Sequence, residues 1–394
     1  MTYEPDYSTL PLNTVEFPLP VLRRREDPLE ALRKISVDIG ARPVTSIAEA
    51  QTAAYVASRL KRAGLQAWTD PFRTHTIAGG GTLIVALLAC AAIPAWSFNH
   101  LYALGLAVGA FVVSLILTNT LSSFFRPLNG ESQNVVSTHS ALGHATRRVV
   151  LLVPLDSHQP RDPVGSRDAQ VAATLAMLTL LLLEYFAPLP LPVPVRTGLL
   201  LVAPFYLLVA ASAELWVRAQ PFSAGAVSYG GAIAAMLTAV EDLGRLHTTE
   251  LWAVGLGGGT TGAGLAQLVK KYPFDAKATF FIGLEGIGRG TLSYLLHDVN
   301  ERTRSADDIL VDVFTEATLG VRAEPRVANF LPFIRPLTLA KRRTISVACL
   351  DHNGRIPLQG SGKDTIDAIT PALIEQTARL IADAVRGIDN HDGY

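Results

Sequence analysis

The chain has 394 residues, with 34 Lys and Arg balancing 34 Asp and Glu. This balance excludes the basic electrostatic footprint of a nucleic-acid-binding protein. The two cysteines, Cys90 and Cys349, are too few for a disulfide-stabilised scaffold.

The first 25 residues are predicted to form an extended arm. They are rich in proline and end in Arg23, Arg24 and Arg25. Because the arm 1–25 lacks a core of its own, we expect it to become ordered against a neighbouring protein.

A helix is predicted to follow the arm. The sequence from Ser46 to Glu49 is a capping box, in which serine and glutamate satisfy free backbone N–H groups at a helix start. Gly64 is favourable just beyond the end of the helix. We predict a helix to about residue 63, with one buried face formed by Ile47, Ala50, Ala54, Ala57 and Leu60.

The segment 74–125 contains no Asp, Glu, Lys or Arg. A membrane crossing needs ~20 mostly apolar residues to cover ~30 Å of hydrocarbon, so this segment is about right for two crossings. We predict spans at 81–96 and 101–124, separated by a break at 94–100. They form a first transmembrane hairpin at 77–125.

A second apolar block predicts a second hairpin at 169–217. Its spans are 169–187 and 197–213, and the proline-rich stretch 188–195 between them cannot continue a helix. The chain therefore has four predicted transmembrane helices. A large soluble helical core is the alternative, but such cores rarely extend so far without a charge.

The charges beside the spans predict the membrane topology. The hairpin tips carry Arg196, whereas the sides facing the soluble segments carry more arginines. The positive-inside rule then predicts a multi-pass integral membrane protein with the soluble domain and both termini in the cytoplasm. The arginines used are Arg73, Arg126, Arg161, Arg167 and Arg218.

The remaining segments alternate between short apolar runs and amphipathic stretches. This pattern predicts an α/β domain whose mostly parallel sheet is covered by helices on both faces. The domain is discontinuous, with pieces 26–76, 130–168 and 219–388, and a tail at 389–394. Strands are predicted at 149–153, 251–256, 279–284 and 344–350, and helices at 230–246, 262–271, 307–319 and 370–385.

Several short motifs occur along the chain in an order that can be compared with that of known families. They are Gly40-Ala-Arg-Pro43, Asn134-Val-Val136, Gly231-Ala-Ile-Ala-Ala235, Glu285-Gly-Ile-Gly288 and Lys363-Asp-Thr-Ile-Asp367. Their order resembles that of the di-zinc aminopeptidase family, which includes bacterial leucyl aminopeptidases, glutaminyl cyclases and the non-catalytic relatives nicastrin and nicalin. The resemblance implies a zinc-exopeptidase-like fold with the hairpins as insertions.

The same resemblance implies a degenerate active site. Members of the family hold two zinc ions around a bridging water with histidines and carboxylates. In this sequence the first histidine position is Pro154 and the bridging aspartate position is Val227. The paired glutamates fall at Gly259 and Thr260, and the last histidine falls at Gly360.

Asp156 and Glu285 retain the acidic type that the family has at their positions. With the other ligands lost, we expect no catalytic residues, no bound metal and no cofactor. The sequence therefore predicts a membrane-anchored, catalytically inactive aminopeptidase-like protein. We expect it to act as an accessory or scaffold subunit of a larger membrane complex.

The expected partners are the lipid bilayer and other integral membrane proteins, and no nucleic acid. Small residues on the second span could allow close packing against other helices. They are Gly105, Ala107, Gly109 and Ala110.

Two alternative functions remain open. A membrane zinc metallopeptidase could use relocated ligands near strand ends, drawn from Asp156, His158, Glu285 and His352, with Asp351 beside them. A nucleotide-binding membrane protein could use the loop 257–262, whose Gly-Gly-Gly-Thr-Thr-Gly sequence matches G-x-G-x-x-G between a strand and a helix. No Walker lysine follows this loop, since Gly262 precedes Ala263.

Overall fold

A computed structural model describes residues 26–74, 81–118, 130–158, 167–187, 190–297 and 306–390. The predicted arm 1–25, Arg126 and Arg161 lie outside the described residues. The side chains of Arg167 and Arg218 are likewise not described.

One eight-stranded sheet organises the chain. Its spatial order is β1-β2-β4-β3-β5-β8-β6-β7. Strands β4, β3, β5 and β8 run parallel at its centre, whereas β2 and β6 are antiparallel to their central neighbours. The strands are β1 (Gln66–Thr74), β2 (Gly130–His139), β3 (Arg147–Pro154), β4 (Thr249–Leu256), β5 (Thr279–Leu284), β6 (Thr291–His297), β7 (Glu324–Val327) and β8 (Arg343–Leu350).

Helices cover both faces of this sheet. Along β3, Val149, Leu151 and Val153 join one hydrophobic cluster, whereas Val150 and Leu152 join the other. A continuous apolar run thus supplies both cores. The helices are α1 (Pro28–Arg33), α2 (Ile47–Arg62), α3 (Gly81–Phe98), α4 (His100–Thr118), α5 (Arg167–Phe186), α6 (Val193–Ala219), α7 (Gly231–Leu243), α8 (Ala263–Lys271), α9 (Asp308–Ala317), α10 (Arg335–Leu339) and α11 (Pro371–Asn390).

The α/β class is confirmed, but the sheet is mixed rather than mostly parallel. The antiparallel strand β1 was not predicted, because Asp70, Pro71 and Arg73 interrupt any apolar alternation. Proline lacks a backbone N–H, and it is tolerated here because β1 is an edge strand. The boundaries of the discontinuous domain stay a prediction.

The predicted buried face of α2 was right for Ala57 and Leu60, which are buried, and wrong for the other three residues. Ile47 is 79% exposed, and Ala50 and Ala54 also face solvent. The helix instead buries Glu49 and Arg59 together with apolar residues. Polar side chains can be buried when they are paired, as Arg59 is with Glu241 at 2.6 Å.

Three described helices are long and apolar enough to cross a membrane: 81–98, 169–186 and 193–217. The fourth predicted span corresponds to a shorter apolar helix at 100–116. The structure therefore supports three candidate membrane helices, fewer than the four predicted.

The limits of these helices also differ from the prediction. Helix α3 continues past Pro94, so the break before α4 narrows to Asn99, whose side chain accepts a hydrogen bond from Leu101 N at 2.8 Å. Helix α6 begins at Val193, because proline is tolerated in the first turn of a helix.

The apolar helices pack as a bundle in which α3 contacts α4 and α6, and α5 contacts α4 and α6. Its interior is rich in small residues such as Ala89, Ala107 and Ala110. Large apolar side chains point outward instead, including Val112 and Phe205. Ala107 and Ala110 thus pack inside the bundle, and an added Cβ at Gly105 would meet open space.

Candidate functional site

A cleft of about 310 Å³ opens near the carboxyl ends of β3, β4 and β5. This edge is where α/β proteins commonly bind ligands. Polar and aromatic side chains line one part of it and apolar side chains the other. The lining includes His158, Tyr229, Gly259, Thr260, Thr261, Glu285, Phe330, Phe333, Arg335, Leu339 and Gln359.

The position of the family's first histidine and that of its glutamate pair are in direct contact. Pro154 ends β3, and Gly259 lies in the loop after β4. A Cβ atom added at Gly259 would lie 2.5 Å from Pro154 Cβ and 3.1 Å from Asp156 Oδ1. No larger side chain can enter at Gly259 without moving the end of β3.

Asp156 follows β3 and is fully buried. The backbone N–H of Thr260 donates to its two carboxylate oxygens at 3.2 and 3.1 Å, and the Thr260 hydroxyl donates as well. Burial raises the pKa of Asp156 to about 6, against the lowering effect of these hydrogen bonds. Both oxygens of this acid are thus committed to the loop.

Val227 and Gly360 are the other positions that lack the family's metal ligand, and each is fixed by the surrounding protein. Val227 is buried, and its N–H donates to Asp364 Oδ1 at 2.6 Å. The hydroxyl of Ser228 donates to Asp364 Oδ2 at 2.5 Å. Gly360 has a φ of 70°, a left-handed conformation that strains a side chain such as histidine.

Glu285 immediately follows β5 and is 1% exposed. Its Oε1 accepts a hydrogen bond from Phe333 N at 3.3 Å. Burial raises the pKa of Glu285 to about 8, so the carboxyl group is mostly neutral at pH 7.

Sequence reasoning missed a fully buried arginine beside the site. The Arg42 guanidinium donates to the carbonyl oxygens of Leu155 at 2.9 Å, Ile35 at 3.0 Å and Ala224 at 2.9 Å. Burial lowers the pKa of Arg42 to about 10, while Asp156 and Asp364 oppose the shift. Its signal in the sequence was the motif Gly40-Ala-Arg-Pro43, which was used only as a landmark.

Glu49 was also missed as a site residue, although it was recognised in the capping box. Its carboxylate accepts from Thr45 N at 2.7 Å, Gly258 N at 2.6 Å and Ser132 Oγ at 3.1 Å. Burial raises the pKa of Glu49 to about 7. Glu49 and Asp156 together fasten the loop 257–262 from two sides.

His158 lies in the wall of the cleft. Its Nε2 is 2.8 Å from the Tyr229 hydroxyl and 2.9 Å from Gln359 Nε2. The rings of His158 and Tyr229 stack with their centroids 5.0 Å apart.

These residues do not fit a zinc pair. His352 is exposed in the turn after β8, and Asp351 Oδ1 accepts from the N–H groups of Asn353 and Arg355 in that turn. Among the described residues, no three His, Cys, Asp or Glu side chains group so as to hold a metal ion. Of the set proposed for relocated ligands, His158 and Glu285 line the cleft, and His352 is not in that lining.

The glycine-rich loop does not present a phosphate cradle. Gly257 N donates to Asn134 Oδ1 at 3.0 Å, and Gly258 and Thr260 donate to carboxylates. Thr261 and Gly262 donate to carbonyls within the loop. These amides are directed at protein acceptors, which argues against the nucleotide-binding alternative.

Solved structures share this fold at low sequence identity. A zinc aminopeptidase from Bacillus subtilis is 12% identical with a TM-score of 0.59, covering 93% of this chain and 96% of that chain. A glutaminyl cyclase from Bacteroides thetaiotaomicron is 12% identical with a TM-score of 0.55, covering 93% and 98%. A Zn-dependent exopeptidase from Parabacteroides distasonis is 13% identical with a TM-score of 0.52, covering 93% and 100%.

No protein-family model matches the sequence, and no curated protein matches it. The structural neighbours are nevertheless those that the sequence resemblance predicted. At these identities the likeness establishes the zinc-exopeptidase-like fold, and the chemistry has to be argued from the residues of this chain.

Proposed function

We propose that this protein is a membrane-anchored, catalytically inactive aminopeptidase-like protein that acts by binding, as an accessory or scaffold subunit of a larger membrane complex. The contact of Pro154 with Gly259 is the observation that carries this proposal. It joins the position of the family's first histidine to that of its glutamate pair, one of which is a metal ligand and the other a general base, and it leaves no space for a side chain at Gly259.

The carboxylates that remain support the same conclusion. Hydrolysis by a zinc pair needs ligands that hold the ions and a base that activates the bridging water. Two acids remain: Asp156, whose oxygens accept from Thr260, and Glu285, whose Oε1 accepts from Phe333 N. Without the two histidines, the bridging aspartate and the glutamate pair, these two acids are too few to hold two ions and also supply a base.

The helix bundle supports a membrane anchor. Its small interior residues and large outward apolar residues suit lipid as the surrounding solvent. Near the junction of α5 and α6, Arg196 Nη1 pairs with Glu184 Oε1 at 2.8 Å. Pairing reduces the cost of placing these charges close to the membrane.

Within this proposal, α4 crosses together with α3, and α5 with α6. The α/β domain and both termini then face the cytoplasm, as the arginine distribution predicts. Protease protection in sealed vesicles tests the topology. Cleavage at the α5–α6 junction from the cytoplasmic side would contradict it.

The decisive chemical test is metal analysis of the full-length protein purified in mild detergent, combined with an assay on leucine p-nitroanilide. We expect far less than one zinc per chain and no hydrolysis above background. About two zinc ions per chain, with hydrolysis abolished by Glu285→Gln, would instead establish the metallopeptidase alternative.

The scaffold role is tested separately by native electrophoresis of solubilised membranes. We expect the full-length chain to migrate in a larger assembly with other integral membrane proteins. A variant lacking residues 1–25 should leave that assembly if the arm orders against a partner. Migration of both forms as free monomers would exclude the scaffold role.

A further inference from the structure

The segment that follows α6 contacts the wall of the cleft. His158 is the last described residue before α5, and Ser223 follows α6, which ends at Ala219. Both the N–H and the hydroxyl of Ser223 donate to the carbonyl oxygen of His158 at 3.2 Å. The base of α6 is therefore fastened to a residue that lines the cleft.

The imidazole of the same residue faces the cleft. It stacks on Tyr229 and contacts the Tyr229 hydroxyl at 2.8 Å and Gln359 Nε2 at 2.9 Å. Tyr229 belongs to segment 223–230, which begins four residues after the end of α6 at Ala219. The His158 ring thus lies between the Tyr229 hydroxyl and the Gln359 amide. The backbone carbonyl of His158 accepts the hydrogen bonds from Ser223.

The rest of segment 223–230 is held firmly. Arg42 Nη1 donates to Ala224 O at 2.9 Å, and Asp364 accepts from Val227 N at 2.6 Å. A Cβ added at Gly225 would lie 2.8 Å from Ser157 Cβ. Because Ala224, Gly225 and Val227 are held by these other contacts, the bonds of Ser223 to His158 O are the link between His158 and the residues that follow α6.

We propose that His158 couples the cleft to the second hairpin, and that a small uncharged amide or azole that pairs with Tyr229 and Gln359 in its place loosens the base of α6. The chemical class of the ligand follows from the His158 ring that it would replace. Such a ligand must be planar, stack on Tyr229 and form hydrogen bonds with the Tyr229 hydroxyl and the Gln359 amide. The volume of about 310 Å³ is that of a small-molecule site. This inference rests on the proposed function, in which the apolar helices dock on partner proteins. The ligand would act on one of those helices, α6.

Hydrogen exchange of the full-length protein in lipid nanodiscs tests the coupling. Tyr229→Phe removes the hydroxyl that holds the His158 ring, and we expect amides of segment 219–230 to exchange at least ~5-fold faster. Tyr294→Phe is the matched control, because this buried tyrosine donates or accepts one hydroxyl bond with Thr315 at 3.0 Å. Equal exchange at 219–230 in both variants would overturn the coupling.

Imidazole is the ligand probe. We expect His158→Ala to loosen segment 219–230, and millimolar imidazole to restore its protection by filling the vacated position. In the wild type the same imidazole should speed exchange there, since it competes with the His158 ring. The exposed His352→Ala variant should respond as the wild type does.

If imidazole changes exchange at 219–230 in neither the wild type nor His158→Ala, the binding site is refuted. The outcome is separate from that of the proposed function. Zinc binding or peptidase activity would overturn the proposed function while leaving these exchange rates as they are.

Discussion

Thr260 donates its backbone N–H to both carboxylate oxygens of Asp156, at 3.2 and 3.1 Å, and its hydroxyl to one of them. The acid at the end of β3 therefore fastens the loop that follows β4. A second buried acid, Glu49, accepts a hydrogen bond from Gly258 N of the same loop. Hydrogen bonds to buried carboxylates thus hold the loop in place.

Thr260→Val should lower stability, because it leaves a buried carboxylate without its hydroxyl donor. We expect a loss of ~1–3 kcal/mol in the free energy of unfolding, measured by denaturant titration in mild detergent. Thr318→Val is the control, since the bond of that hydroxyl to Thr315 O at the end of α9 is exposed. A loss as large in the control would show that the Asp156 contact has no special role.

The contact between Pro154 and Gly259 predicts a coupled pair of substitutions. Gly259→Ala should be destabilising in the wild type, because its Cβ would lie 2.5 Å from Pro154 Cβ. The same change should cost less in a Pro154→Gly background, where that atom is gone. A double-mutant cycle measured by thermal unfolding would give the coupling, and strict additivity would refute the close contact.

The stability of the protein should fall as pH rises, through Glu285. The pKa of this group is raised from 4.5 to about 8 by burial, so the folded state holds the proton more tightly than the unfolded state. Its contribution is fully present below pH 4.5 and is lost as pH rises toward 8. Glu285→Gln keeps a neutral group at this position. It should therefore reduce the change of the thermal unfolding midpoint with pH between pH 5 and 8.

Glu49 and Asp156 also have raised pKa values, of about 7 and 6, so a residual pH dependence should persist in Glu285→Gln. Glu375→Gln, on the exposed side of α11, is the matched control and should keep the full wild-type profile. Identical pH profiles for Glu285→Gln and the wild type would exclude a protonated Glu285 in the folded protein.

The bundle interior should tolerate little added volume. Ala107 is 1% exposed, so Ala107→Leu should separate α4 from its neighbours and lower the thermal midpoint in detergent. Val108→Leu adds volume at the adjacent, outward-facing position, where Val108 is 45% exposed, and should be nearly neutral. The opposite order of effects would place the outward-facing surface on the other side of α4.

The sequence predicted the elements whose pattern comes from burial of apolar runs. Strand β5 was predicted with its observed bounds, and β3 to within two residues at its start and one at its end, because a strand covered on both faces is continuously apolar. Strand β1 escaped prediction, since an edge strand carries Asp70 and Pro71 at little cost.

The positions predicted to have lost their ligands lie at or near the cleft, but their mutual contacts could not be foreseen. The 2.5 Å approach at Gly259 depends on the tertiary position of Pro154, which lies more than a hundred residues away in the chain. Buried Arg42 and Glu49 were missed for a related reason. Charged residues are expected at the surface unless their partners are known, and those partners are backbone groups of distant loops.

The way the sheet is threaded links its formation to the folding of the two apolar insertions. Thr74 at the end of β1 pairs with Gly130 at the start of β2, directly across the first apolar insertion, and Pro154 pairs with Leu256 across the second. The first insertion must therefore bring its two ends together before β1 and β2 can pair. The second insertion lies in the stretch of chain that must fold back before β3 and β4 can pair. A chain whose apolar helices fail to fold back has a high entropic cost for closing those long loops, so errors in helix insertion should appear as failure of the sheet to form.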